Sequence, residues 1–316
     1  MHNLDQSRDQ RTARLSHATL AAAVALTMLA PLILLGPNAA GAMPARTRHP
    51  LIATAHHIVK APKRTKKSAA AANKPQSNLV DHGGPVIADA RIYAVWWGKA
   101  AATSVQRRIV EPAVTNFLAG LGSPGSSTLL ANTDQYMRGE RASARFMKSY
   151  YDDGSKPPAQ QPRISTIVSE VAKVVSAAGD PLDPGALYLV FTTNYPSDAP
   201  YCAWHSAGAV DGTWIAVGYM PNIGRAAGCA APDSGSGIAR GAQALVNVTS
   251  HEVLEATTDS MLEDRQAWTD AHGEEIADKC AWRYPTDSAG TNIATWIGGQ
   301  PWILQQEWSN EERACV

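Results

Sequence analysis

Residues 237–259 read GIARGAQALVNVTSHEVLEATTD, and the rest of the chain is organised around this stretch. It is mostly apolar from Ala242 to Leu254, which marks a long helix buried on most of its sides. Charges inside such a helix must be paired, hydrogen-bonded or ligated, because burying them bare is expensive. His251 and Glu255 are one helical turn apart on the same face and can point at one ion. Glu252 lies about 100° around from His251, beside that ion rather than on it, where its carboxylate can act as a general base on water. A His-Glu pair in this setting suggests the His-Glu-x-x-His motif of metal-dependent hydrolases, but Glu255 stands where the second histidine would be. Zinc accepts imidazole nitrogen and carboxylate oxygen, and a hydrolytic site needs three protein ligands. The substituted set is harder than two histidines, so it selects zinc less strictly and admits manganese or calcium. The plainer reading is a core histidine beside a solvated glutamate.

The third ligand is expected from WTDAHGEEIADKC (268–280). Asp278 is favoured because it stands two residues before Cys280, where a disulfide would hold the loop, and Glu275 is next. Asp259, Asp270 and His272 are further candidates. His205, in YCAWHS (201–206), is expected in a loop pinned by another disulfide and offers a second imidazole. Calcium binding by the oxygen-rich TDAHGEEIAD competes with zinc, although its spacing does not fit an EF-hand.

The amino-terminal part reads differently. Arg8, Arg11 and Arg14 precede an uncharged apolar run from Leu20 to Leu35, and Ala40 and Ala42 supply small residues ahead of a cut after 42. That order predicts a secretory signal peptide over residues 1–42, and the run is shorter than the about 20 residues a spanning helix needs. Residues 43–78 contain no Asp or Glu and carry KAPKRTKKSAAAANKP. They are expected to be a disordered basic linker or pro-segment. Residues 79–316 then form one domain with a sizeable core. The 28 basic and 28 acidic residues balance, which argues against a nucleic-acid partner. The mature chain is expected to be extracellular, periplasmic or on the cell surface, monomeric and not membrane-spanning.

Export makes the four cysteines, Cys202, Cys229, Cys280 and Cys315, disulfide candidates. Three pairings are possible, and proximity favours Cys202–Cys229 and Cys280–Cys315. Asn247-Val248-Thr249 matches a glycosylation signal but falls inside the buried helix and is discounted. Trp96, Trp97 and Trp204 are read as core residues, with a sugar platform as the alternative.

Alternation over 83–98 predicts a strand, as do the apolar run 185–193 and residues 212–220. Helical spacing covers 103–122, with Thr103 or Ser104 as N-cap and Pro112 as a kink, and again 164–179, ending at Gly179. The sum is an α/β (α+β) domain: a central mixed sheet with packed helices, and a long buried helix carrying His251-Glu252-x-x-Glu255.

DHGGPV (81–86), IYAVWWG (92–98), YCAWHS (201–206), TSHEVLEATTD (249–259) and AWTDAHGEEIADKC (267–280) together resemble the EXORDIUM-like, phosphate-induced protein family of secreted plant proteins and their microbial relatives. The resemblance spans roughly residues 79–285. It implies export, association with the cell wall, and a shared role for His251, Glu252, Glu255, Glu275, Asp278 and Cys280. Thr269 replaces a tyrosine frequent in the family, and Ser260 a proline. The element order is also similar to the zincin metallopeptidase core, where a backing helix precedes the active-site helix. The expected function is a secreted, zinc-dependent, zincin-like peptidase with Glu252 as general base, acting on a peptide or cell-wall polymer. The alternative is a non-catalytic wall-binding protein whose metal or acidic cluster is structural.

Overall fold

Five short, strongly β-branched or aromatic runs and one segment from the basic amino-terminal region build the central sheet. The structure is a computed structural model that describes residues 56–59, 77–99, 104–123, 127–233, 235, 237–261 and 265–316. These belong to one compact unit, and the expected signal peptide lies outside them. The sheet strands are β1 (His56–Val59), β3 (Asp89–Trp97), β4 (Ser143–Asp152), β5 (Leu187–Thr192), β6 (Tyr201–Val210) and β7 (Thr213–Met220), with β2 (Val80–Asp81) pairing elsewhere. Their spatial order is β1-β6-β7-β5-β3-β4. β7, β5, β3 and β4 are mutually parallel, whereas β6 runs antiparallel to both of its neighbours, β7 and β1. The expected mixed sheet with packed helices is therefore present.

The central position of β5 explains its unbroken apolar sequence: all six residues are buried. β3 alternates as its sequence suggests. Ile92, Ala94 and Trp96 join one core, while Val95 and Trp97 join the other, on the opposite face of the sheet. The second face is covered by α3 (Ile164–Ala177), whose Ile167, Val171, Val174 and Val175 are buried in it. The first face is covered by α1 (Glu111–Leu121) and α4 (Arg240–Thr258), with α2 (Ser127–Ala131) a short turn between. Trp96, Trp97 and Trp204 are all buried, so they are core residues and not a sugar platform.

Three expectations need correction. His205 lies on β6 rather than in a loop. The sequence hides this strand because residues on both of its faces are buried and polar and apolar types are mixed. β4 was missed for the converse reason, its many polar and exposed side chains. Residues 43–78 are not wholly a tether, since His56–Val59 adds an edge strand to β6, with His56 opposite His205 in register. The helix expected over 103–122 runs from residue 105 to 121, and Pro112 falls directly after a single wider turn (Gln106–Val110) within it, the kind of local irregularity that accommodates a proline. Ser104 accepts the Arg107 N–H at 3.2 Å, as expected of an N-cap.

Beyond α4 the chain forms short two-stranded ribbons: β2 with β8 (Trp268–Thr269), β9 (Thr295–Ile297) with β10 (Gln300–Trp302), and β11 (Trp308–Ser309) with β12 (Ala314–Cys315). Disulfides Cys202–Cys229 and Cys280–Cys315 have Cα separations of 5.6 and 5.7 Å, the pairing favoured by proximity. Two disulfides fit an oxidising, extracellular setting. No helix of the described residues is long and apolar enough to cross a membrane.

Candidate metal centre

Every residue of α4 from Ala242 to Thr258 is buried. A helix this deep tolerates polar side chains only where each finds a partner. Thr249, Thr257 and Thr258 bond back to carbonyls of their own helix. Apart from Ser250 and Glu252, the remaining buried polar residues form a stripe at four-residue spacing, Gln243, Asn247, His251 and Glu255, which is one face of the helix. The stripe meets the carboxy-terminal segment. Gln243 Nε2 donates to the Ile303 carbonyl at 2.8 Å, and the Gln305 N–H donates to Asn247 Oδ1 at 2.8 Å. The Gln305 side-chain amide lies against His251 Nδ1. Glu255 Oε1 accepts the Asp278 N–H at 2.9 Å. Asn247, matched by the glycosylation pattern, is fully buried within this stripe.

At the lower end of the stripe the expected ligands converge. His251 Nε2 is 3.0 Å from Glu255 Oε2 and 3.5 Å from Asp278 Oδ1. Ligands at about 2.0–2.2 Å from a tetrahedral ion stand about 3.3–3.6 Å apart, so the Asp278 spacing matches the edge of a coordination shell, while the Glu255 spacing is shorter and is the distance of a charged contact that an ion would open slightly. His205 and Glu275 complete a second group around the same glutamate. One imidazole nitrogen of His205, Nδ1, lies 3.6 Å from Glu255 Oε2 and 3.2 Å from Glu252 Oε2, and Nε2 lies 3.5 Å from Glu275 Oε1. Within each set, His251–Glu255–Asp278 and His205–Glu255–Glu275, the donor atoms lie within 4.8 Å of one another. These groups can hold a metal ion. His205, His251, Glu252, Glu255 and Glu275 are fully buried, and only Asp278, with a side chain 23 % exposed, reaches toward solvent.

Of the three other candidates, Asp259 and Asp270 have side chains engaged elsewhere, although the Asp259 carbonyl lies 3.3 Å from His205 Nε2. The carboxylate of Asp270 accepts the Lys279 ammonium at 2.9 Å and the N–H groups of His272 and Glu274, which folds the loop back on itself. His272 is exposed. Asp259 Oδ1 accepts the Ala267 N–H at 2.9 Å and so ties the chain leaving α4.

Two residues that sequence reasoning passed over belong to the site. Gln305 holds the His251 ring from behind. Glu307 is buried, and neither of its carboxylate oxygens has a hydrogen-bond partner. Its signal was legible in kind: in PWILQQEWS (301–309) a lone carboxylate sits among apolar and aromatic residues. What the sequence lacks is the pairing of that segment with the stripe of α4.

The electrostatics are those of anions crowded in a dry space. Burial raises Glu252, and the His205 hydrogen bond only partly offsets it. Burial, then Asp278, pushes Glu255 to about 8, and burial holds Glu307 well above the usual carboxylate range. Burial pulls both imidazoles down, but Glu275 and Glu252 beside His205, and Glu255 and Asp278 beside His251, carry them well above their ordinary value. A divalent cation among these groups reverses the preference, favouring ionised carboxylates and neutral imidazoles. No family model, curated protein or solved structure matches this chain, so its chemistry rests on its own residues.

Proposed function

We propose that the chain is a secreted metal-dependent hydrolase of zincin-like design, with His251, Glu255 and Asp278 as ligands and Glu252 as general base. The carrying observation is that Glu255 and Asp278 donors lie 3.0 and 3.5 Å from His251 Nε2, two of the three residues standing on one turn of a buried helix that also presents Glu252 and the third on the loop beside it. A divalent ion there, zinc first among the candidates, supplies Lewis-acid polarisation of a carbonyl or phosphoryl oxygen and of water. The protein's own part is to hold and move a proton. Glu252 Oε2 faces His205 Nδ1 at 3.2 Å, while its Oε1 has no hydrogen-bond partner and is the atom left to accept one. α1 packs behind α4, consistent with a backing helix preceding the active-site helix.

Depth of burial favours a second reading. With Glu252 and four of its neighbours fully buried, the same ion would serve as a structural rivet joining α4, the 275–278 loop and the carboxy-terminal segment. Glu252→Gln separates the two. For a hydrolase, peptide profiling of the full chain with and without chelator shows chelator-sensitive cleavage, and the variant loses roughly two or more orders of magnitude in rate with its metal content intact. Chelator-insensitive profiles, or a variant as active as the parent, leave the structural reading standing.

A further inference from the structure

We propose that the cluster holds two divalent cations bridged by the Glu255 carboxylate, an outer one against His251 and Asp278 and an inner one against His205 and Glu275. This rests on the metal-centre reading and extends it. Both three-residue sets share Glu255, and the same oxygen, Oε2, lies 3.0 Å from His251 Nε2 and 3.6 Å from His205 Nδ1. On the sheet side, His205 and Glu275 form with Glu255 a second donor group whose ligand atoms also lie within 4.8 Å of one another.

Charge supports the same count. Five carboxylates, Glu252, Glu255, Glu275, Asp278 and Glu307, surround two imidazoles. The strongest charges acting on Glu252, Glu255 and Glu307 are those of the imidazoles and of neighbouring carboxylates, Asp278 above all. Lys279, next to Asp278, bonds Asp270 at 2.9 Å. When cation binding keeps all five ionised, one dication offsets two of the five negative charges, and two dications offset four. Buried anions demand such compensation. An independent observation points to a ligand at the shared edge: Glu255 Oε2, the oxygen common to both sets, is a fully buried acceptor without a hydrogen-bond partner, as is Glu252 Oε1 on the same turn. The two positions differ in access. The outer one includes the 23 % exposed Asp278, whereas His205 and Glu275 are fully buried, so the outer ion exchanges faster.

The test is Mn2+ loading of the metal-stripped full chain, counted by elemental analysis after desalting and examined by electron paramagnetic resonance. Two Mn2+ per chain with an exchange-coupled spectrum are expected, along with one fast and one slow phase of release to chelator. His205→Gln should bind one Mn2+ with an uncoupled spectrum, and Asp278→Asn should lose the fast phase. One Mn2+ per wild-type chain with an uncoupled spectrum overturns the inner position but leaves the single-ion reading intact. No Mn2+ or Zn2+ bound by the wild-type chain overturns both. Because stoichiometry and coupling are read on the wild-type chain, a variant that fails to fold does not rescue the proposal.

Discussion

At the scale of single residues, the site is a problem of orientation. An imidazole binds an ion through one nitrogen only if the other is fixed, and in His251 that nitrogen is Nδ1, against the Gln305 amide. The amide nitrogen, Nε2, faces Nδ1 here; binding an ion through the ring's Nε2 requires the amide turned over, so that Nδ1–H donates to its oxygen and the Nε2 lone pair faces Glu255 and Asp278. Gln305→Ala is therefore expected to keep the ligands but weaken ion affinity by roughly 10–100-fold, the usual consequence of losing such a partner. Competition with a chromophoric chelator measures it, and unchanged affinity would show that Gln305 does not orient the ring. His251, Glu252, Glu255, Glu275 and Asp278 were legible because they lie in two short segments with helical or loop spacing. Gln305 and Glu307 were not, because their role exists only once a distant segment is laid along α4.

At the scale of elements, the same divide recurs. α3, α4, β3, β5 and β7 were readable because each has one clear periodicity or an unbroken apolar run. β6 was not, since it buries His205 and Ser206 among apolar neighbours and so has no polar face to alternate with. On the opposite face of the sheet, α3 carries its own buried carboxylate. Glu170 is 5 % exposed, and burial raises it to about 7 against the pull of Lys173, with Asp152 adding to the rise. A carboxyl whose folded value exceeds its unfolded value of 4.5 binds its proton more tightly when folded. Its contribution to stability is then fully present below about pH 4.5 and is lost as pH rises through about 7. Glu170→Gln removes that dependence, while Lys173 keeps Asp152 as a partner. The melting temperature of the variant should match that of the parent near pH 4.5 and exceed it increasingly up to pH 7–8. A difference that stays flat across this range would refute the assignment.

At the scale of the whole molecule, the ligands come from parts of the chain with very different intrinsic order. His205 and the α4 residues stand on a sheet and a long buried helix, which are rigid by packing. Glu275, Asp278 and Glu307 stand in a region of two- and three-residue strands, where burial alone fixes little. There the Cys280–Cys315 bridge joins the loop carrying Asp278 to the last ribbon, β11–β12, and the Trp308 N–H donates to the Ile276 carbonyl at 2.9 Å beside it. Closing a loop of 35 residues stabilises the folded state by about 3–4 kcal/mol in the chain-entropy account. A bound ion adds a second constraint, about 2.7 kcal/mol when its concentration is a hundredfold above its dissociation constant. Both act on the same segment, so they should couple. In a Cys280→Ser, Cys315→Ser chain the loop must be ordered by the ion alone, and binding then carries the ordering cost that the disulfide otherwise removes. The double variant is expected to unfold at lower denaturant than the parent and to bind the ion more weakly, with a larger share of the loss in Asp278-dependent, fast-exchanging binding. Equal ion affinity in the two chains would mean that the loop is held by packing against α4 and not by its covalent staple.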